Sequence, residues 1–363
     1  MLPENLLKND ERAMLALRSL YNSYGYRPFK MSKFEEYELY VRNKDFLVSD
    51  RVITFNDTDG RLLALKPDVT LSIIKNTRAG AYDKHKVYYN ENVYRVSGTT
   101  GQFKEIMQMG LECIGDIDTT DVFEVVSLAA KSLETVSSDY VLDISHMGII
   151  SAFIAECERG SDFTRKMTAL ISEKNSHEVY TLCEQYGVPS EKADMLASLI
   201  GIYGERSSAL KRLEPLCTSE DAKAALCELS SLDKLLTEHG ITDKVRFDFS
   251  VVNNMNYYNG IVFKGFLAGI SEGVLAGGAY DNLLRTMKQD RRGIGFALYL
   301  DLLEELEEEG DGYDVDVLLV YDSKAQASSV AAKKDELISE GLSVYSATNV
   351  PEKIRYKKIV KVN

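Results

Sequence analysis

The stretch spanning residues 87–115, VYYNENVYRVSGTTGQFKEIMQMGLECIG, constrains the fold of this chain more than any other. Apolar and polar residues alternate on both sides of a Ser97-Gly98-Thr99-Thr100-Gly101 break, the pattern of two antiparallel strands joined by a loop too long for a tight hairpin. In the second strand Phe103, Glu105, Met107, Met109, Leu111 and Cys113 share one face. Lys104, Ile106, Gln108, Gly110, Glu112 and Ile114 share the other. On that face Gln108 and Glu112 point the same way, roughly 13 Å apart along the strand, with no side chain at Gly110 between them. Two readings follow from the pattern alone. The face is solvated and the pair carries no meaning, or it is a bare strip of sheet on which a small polar ligand lies.

The rest of the chain supplies what such a sheet needs. Residues 10–24 form an amphipathic helix with Met14, Leu17, Tyr21 and Tyr24 at helical spacing and Gly25 as its stop. An extended stretch to residue 40 leads to two short strands, 52–55 and 61–66, around the turn Asp57-Thr58-Asp59-Gly60. Lys66-Pro67-Asp68-Val69-Thr70 opens a helix carrying Leu71, Ile73 and Ile74, and Asp68 reads most simply as its N-cap. A helix over 120–136 stripes Val122, Val125, Val126, Ala129 and Leu133, and a strand follows at 140–145. From about 148 to 240 strand signals give way to helical patterns, broken near Gly187-Val188-Pro189, as expected of a helical insertion between two halves of a sheet. Strands are expected again at 245–252, 257–266 and 273–275, and a final helix at 294–308. The acidic run 304–309 and Gly310-Asp311-Gly312 read as a linker. They divide the chain into a first domain, 1–312, and a small α/β module, 313–363, with a strand at 315–321, a helix near 324–340 and two short strands.

Composition narrows the function classes. A chain of 363 residues, 45% hydrophobic, buries a large core, and a net charge of -13 disfavours a general nucleic-acid binder. Cys113, Cys157, Cys183, Cys217 and Cys227 lack CxxC spacing and suit buried free thiols in a reducing compartment. His85, His146, His177 and His239 lack metal-ligand spacing, so neither a metal site nor a cofactor is expected, and His146 reads as a satisfied core histidine. No apolar run reaches the length of a membrane span, and Glu4, Asp10 and Glu11 stand where a signal peptide needs an apolar core. The expected location is cytoplasmic, away from membranes.

Five segments then carry a resemblance: Leu65-Lys66-Pro67-Asp68-Val69-Thr70; Tyr94-Arg95 with its QMGLECIG partner; Asn256-Tyr257-Tyr258-Asn259-Gly260; Gly277-Gly278-Ala279-Tyr280-Asp281; and Gly293-Ile294-Gly295-Phe296-Ala297. In this order, over roughly residues 1–305, they resemble the histidyl-tRNA synthetases. The resemblance implies an α+β fold with the class II aminoacyl-tRNA synthetase core, an antiparallel sheet flanked by helices that forms a homodimer. It also implies an L-histidine pocket made by Asp68, Thr70, Arg95, Gln108, Glu112, Tyr257 and Tyr258. Asp68, Thr70 and Gln108 would accept from the ligand's ammonium, and Glu112 with a tyrosine hydroxyl would fix its ring N–H. By pattern alone Tyr257 and Tyr258 are ordinary strand aromatics. Asp68 replaces a family glutamate one methylene longer, which implies weaker affinity.

The same comparison shows losses. Activating an amino acid with ATP needs cations at the phosphates, and one transition-state arginine is worth on the order of 10³–10⁵ in rate. Arg95 is retained, but the acidic residue two places on is Ser97, the arginines of the following loop are Gln102 and Lys104, the histidine-specific arginine is Asn253, and the arginine of the last helix is Leu302, beside Asp301. Where the synthetases end in a larger anticodon-binding domain, the module at 314–363 resembles a shortened version or an unrelated substitute, and Arg355-Tyr356-Lys357-Lys358 reads as a solvated strand edge. A core that keeps an amino-acid pocket without ATP and tRNA machinery resembles the regulatory subunits of ATP phosphoribosyltransferase. Phe247-Asp248 and Ile144-Ser145-His146-Met147-Gly148 suit those better than a working synthetase. That resemblance implies a non-catalytic chain, a short catalytic partner subunit, a hetero-octamer of four chains of each kind, and feedback by histidine. The competing expectation is a degenerate synthetase paralogue serving as another binding or scaffold module.

Overall fold

The computed structural model describes residues 7–47, 51–77, 84–97, 100–241, 243–252, 257–306, 312–322 and 325–362. It places the alternating stretch in two paired antiparallel strands, Lys84–Val96 and Phe103–Gly115. They belong to the larger of two units, Met1–Leu306; the smaller is Glu307–Asn363.

The larger unit opens with α1 (Asn9–Ser23), which buries Ala13, Leu17 and Tyr21 and ends before Gly25, whose φ of +81° suits a residue without Cβ. Strands β1 (Arg27–Pro28) and β2 (Phe34–Glu36) follow. Then comes α2 (Tyr37–Arg42), where extended chain was expected. A Glu38–Arg42 pair across one turn and the buried Tyr40 hold this short helix. Strands β3 (Thr54–Asn56) and β4 (Leu62–Leu65) make the expected hairpin, with Asp57 Oδ1 accepting from the amides of Asp59 and Arg61. With β2 they form a separate three-stranded sheet. In α3 (Thr70–Asn76) Leu71, Ile73 and Ile74 are fully buried.

The long pair, β5 (Lys84–Val96) and β6 (Phe103–Gly115), leads to α4 (Thr119–Val136). Asp118 caps this helix by accepting from the amides of Thr120 and Asp121. Its expected stripe of Val122, Val125, Val126, Ala129 and Leu133 is buried, at about 1.5–3 kcal/mol for each large aliphatic side chain. After β7 (Tyr140–His146) come α5 (Met147–Ala155), α6 (Ser161–Ser172), α7 (Ser176–Gln185) and α8 (Ser190–Ile200). A two-residue strand, β8 (Tyr203–Gly204), interrupts this helical region before α9 (Arg206–Leu213) and α10 (Glu220–Glu238).

The remaining elements are β9 (Val245–Asp248), β10 (Ile261–Leu267), β11 (Leu275–Ala279), α11 (Asp281–Thr286) and β12 (Arg292–Tyr299). Four boundaries differ from expectation. The strand β9 stops at Asp248, whose Oδ1 accepts from the Ser250 amide in a turn. Next, β10 starts only at Ile261, leaving Tyr257 and Tyr258 outside it. Further on, β11 runs through Gly277 and Gly278, which pair with β10 and β12 on both sides; glycine is needed there, since a Cβ at Gly277 would lie 2.4 Å from Phe296 Cβ, and one at Gly278 2.9 Å from Tyr258. Finally, β12 replaces most of the expected helix, whose leucines continue only as a 3₁₀ turn, Leu300–Glu305. Its large and small residues alternate with period two, and small residues are needed where it passes between β6 and β11.

The main sheet has nine strands in the order β1-β5-β6-β12-β11-β10-β7-β9-β8, antiparallel except for β1–β5 and β7–β9. One face buries Met109, Leu111, Cys113, Ile294, Phe296 and Leu298 with α1 and α4. The opposite face buries Tyr89, Ile114 and Tyr257 with residues of α2, α3, α11 and the small sheet. From Gln108 onward β6 is therefore buried on both faces, which removes the solvated-face reading.

In the smaller unit β13 (Val315–Tyr321), α12 (Ala327–Ser339), β14 (Val344–Ala347) and β15 (Tyr356–Val362) form a parallel sheet in the order β14-β13-β15. Its basic run lies on an edge strand, where Arg355 and Lys357 pair with Asp314 and Asp316. Four of the five cysteines are buried, whereas Cys227 is exposed on α10. Among the described residues no helix is long and apolar enough to cross a membrane.

Candidate functional site

Pairing in the main sheet sets the floor of a cavity of about 350 Å³. Across β5, β6 and β12 the register aligns Val87, Glu112 and Gly295 in one row, Tyr89, Gly110 and Ala297 in the next, and Glu91, Gln108 and Tyr299 in the third. Gln108 and Glu112 do face the same way. The space beside Gly110 is not open, however. A Cβ there would lie 2.6 Å from the Tyr89 hydroxyl and 2.1 Å from the Phe296 carbonyl oxygen, so the missing side chain admits a phenol and a close strand rather than a ligand. A second glycine is as necessary: a Cβ at Gly295 would stand 1.9 Å from Glu112 Oε2.

Glu112 is only 2% exposed. Its Oε1 accepts from the Thr70 hydroxyl at 2.7 Å, and its Oε2 accepts from the Tyr280 hydroxyl at 2.6 Å. Burial pushes its carboxyl up to about 8, against the pull of these two hydroxyl donors. Tyr280 is held in turn by Asp281, whose Oδ1 accepts from the Gly293 amide and whose Oδ2 accepts from Arg292 Nε. The Tyr280 amide donates to the Gly293 carbonyl, so the two motifs Gly277–Asp281 and Gly293–Ala297 lock together beside Glu112.

Asp68 is not the N-cap expected from the sequence: Val69 holds that position, and Asp68, one place earlier, reaches over it so that Oδ1 accepts from the Leu71 amide at 2.9 Å. Oδ2 is 3.8 Å from Arg95 Nη2, and Arg95 Nε donates to the Pro67 carbonyl at 2.7 Å. Burial raises the Asp68 carboxyl, while Arg95 and the backbone amides pull it down. A second buried ion pair, Lys66 with Glu91 at 2.7 Å, stands behind this segment. Tyr257 and Tyr258 approach from the loop before β10 with ring centroids 4.5 Å apart, and Tyr257 meets Tyr280 edge-on.

All seven residues singled out from the sequence, Asp68, Thr70, Arg95, Gln108, Glu112, Tyr257 and Tyr258, line this one cavity. Tyr89, Tyr280, Tyr299, Phe46 and the small floor residues Ala276, Gly295 and Ala297 line it too, and sequence reasoning gave them no role. Tyr280 lay inside a quoted motif, but its contact with Glu112 spans 168 positions and depends on strand order. Among the described lining residues Arg95 is the only cation, beside Asp68, and Glu112 is the second buried acidic side chain. Ser97, Gln102 and Lys104 fall on the loop and strand beyond Arg95 and outside the lining, as do Asp301 and Leu302; Asn253 lies outside the described residues. His146 is a satisfied core histidine: Nδ1 accepts from the Gly148 amide and Nε2 lies 3.2 Å from Glu228 Oε2.

The family model described as histidyl-tRNA synthetase matches residues 1–303. Two curated relatives are each named ATP phosphoribosyltransferase regulatory subunit. The one from Oceanobacillus iheyensis is 25% identical over 99% of this chain and 90% of its own. The one from Caldanaerobacter subterraneus subsp. tengcongensis is 29% identical over 78% and 75%. Among solved structures, an ATP phosphoribosyltransferase regulatory subunit/histidyl-tRNA synthetase from Bacillus halodurans superposes with a TM-score of 0.76 at 23% identity, covering 99% of this chain and 95% of that one. A chain of the ATP phosphoribosyl transferase (HisG:HisZ) complex from Thermotoga maritima gives 0.63 at 21% identity, over 79% and 96%.

Proposed function

The chain belongs to the histidyl-tRNA synthetase family, and from that membership we propose that it is a non-catalytic regulatory subunit of ATP phosphoribosyltransferase, the enzyme of the first step of histidine biosynthesis. One observation carries this reading: relatives bearing that name align over 78–99% of this chain. In this reading a short catalytic subunit performs phosphoribosyl transfer to ATP and needs this chain for activity. The two assemble as a hetero-octamer in the cytoplasm, with this chain dimerising through its synthetase-like core and binding neither tRNA nor membrane.

L-Histidine is the proposed effector, bound in the cavity. Its ammonium lies against Asp68, Thr70 and Gln108, its carboxylate near Arg95, and its ring N–H against Glu112, with Tyr257 and Tyr258 packing around it. A site whose buried polar groups are left unpaired by the wrong ligand discriminates strongly, which suits a sensor. The cavity's charge supports a role without catalysis. Its described lining offers a single guanidinium beside two acidic side chains, whereas the transfer chemistry of a polyphosphate depends on several cations. Feedback requires that histidine bind one arrangement of the complex better than another, and a coupling of about 1–3 kcal/mol gives 5- to 150-fold control.

The test is phosphoribosyl transfer by a short-form catalytic subunit, with and without this chain, across a histidine titration. Activation that histidine suppresses is the expected result. Glu112→Gln is expected to weaken histidine binding about 5- to 10-fold, the worth of one hydrogen bond. No activation removes the subunit assignment, and unchanged inhibition in Glu112→Gln removes the cavity as the sensor.

A further inference from the structure

The cavity face of β12 carries Gly293, Gly295, Ala297 and Tyr299 at alternating positions. The floor residues Gly295 and Ala297 have almost no side chain, and Glu112 folds its carboxylate over Gly295. The fourth position holds one of the largest side chains available. Tyr299 stands directly across from Gln108, roughly 13 Å along the strand from the Gly295–Glu112 row. It lines the cavity at the end opposite Glu112, and its phenol is near enough to Tyr89 and Tyr258 to act on both electrostatically.

We infer that Tyr299 is the end wall of the cavity, a specificity-determining residue that admits a free amino acid and turns away the same amino acid carrying a group on its carboxylate. This rests on the histidine reading of the site, which directs the ring toward Glu112 and the carboxylate toward the Tyr299 end. A substituent on the carboxylate would then run along the floor into the phenol ring. In this arrangement the pocket senses the unmodified amino acid and rejects an activated or peptide-linked form.

The experiment uses the full chain and isothermal titration with three probes: L-histidine, L-histidinamide and L-histidine benzylamide. The two amides share the loss of the carboxylate charge and differ only in size. Their affinity ratio therefore isolates the wall and is unaffected by a reduced fraction of folded variant. Wild type should prefer the small amide, Tyr299→Gly should narrow the ratio by about tenfold or more, and Tyr299→Phe should retain the wild-type ratio because it keeps the bulk. A ratio unchanged in Tyr299→Gly, or relaxed equally in Tyr299→Phe, overturns the wall while leaving a histidine site in place. Absence of L-histidine binding in wild type overturns the histidine reading and the wall together.

Discussion

At the scale of single residues, the site depends on one carboxyl group kept from water by its neighbours. Glu112 holds its proton to about 8 in the folded chain, against 4.5 ordinarily. Between those values the folded state binds more protons than the unfolded one, so stability falls as pH rises through this window and the loss is complete above it. Replacing Glu112 by Gln removes that titration. Urea unfolding of wild type and Glu112→Gln should therefore shift in relative favour of the variant between about pH 5 and pH 8. A constant difference between the two proteins would acquit Glu112. Tyr280→Phe acts in the opposite sense on the same group. Losing the hydroxyl donor at Oε2 leaves desolvation less opposed, so the carboxyl rises further, and histidine affinity at neutral pH is expected to drop by about 5- to 10-fold, the worth of one hydrogen bond. Calorimetric titration checks this; equal affinity would mean that Tyr280 does not support the carboxylate.

At the scale of elements, stability rests on how each segment ends and which face it buries. The helix α4 clamps the sheet face away from the cavity, and its first turn is tied down by Asp118. Asp118→Ala should cost about 1 kcal/mol in urea unfolding without altering histidine affinity. A larger loss of affinity than of stability would mean that α4 reaches the site. Elements like α4 were legible in the sequence because the apolar stripe that their periodicity marks is the face they bury. The hairpin at Asp57–Gly60 was legible from its turn residues, and the strand Val315–Tyr321 from an apolar run whose centre is buried. Segments with competing signals were not. Residues 292–306 combine a glycine-spaced strand with a leucine-rich tail, and only the slot between β6 and β11 decides for the strand. The site divides similarly. Gln108 and Glu112 share a face by local geometry, and the family resemblance added Asp68, Thr70, Arg95 and the tyrosine pair. Gly295, Tyr280 and Tyr299 meet them through a register that pairs residues more than 150 positions apart, which no local pattern encodes.

At the scale of the whole molecule, the division into two units has a thermodynamic consequence. Every residue lining the cavity lies in Met1–Leu306, whereas Glu307–Asn363 keeps its own small core of Val317, Leu319 and Leu337. A ligand that binds only the native form of one unit stabilises that unit by mass action, by about 2.7 kcal/mol at a hundredfold excess over Kd. A core built on so few buried side chains is marginal by itself, so the smaller unit is expected to melt first. Differential scanning calorimetry of the full chain should then show two transitions, with histidine moving the upper one and leaving the lower in place. A single transition shifting as a whole would mean that the units are energetically coupled. In that case the smaller unit would share in the stabilisation that histidine confers on the larger, without touching the ligand itself.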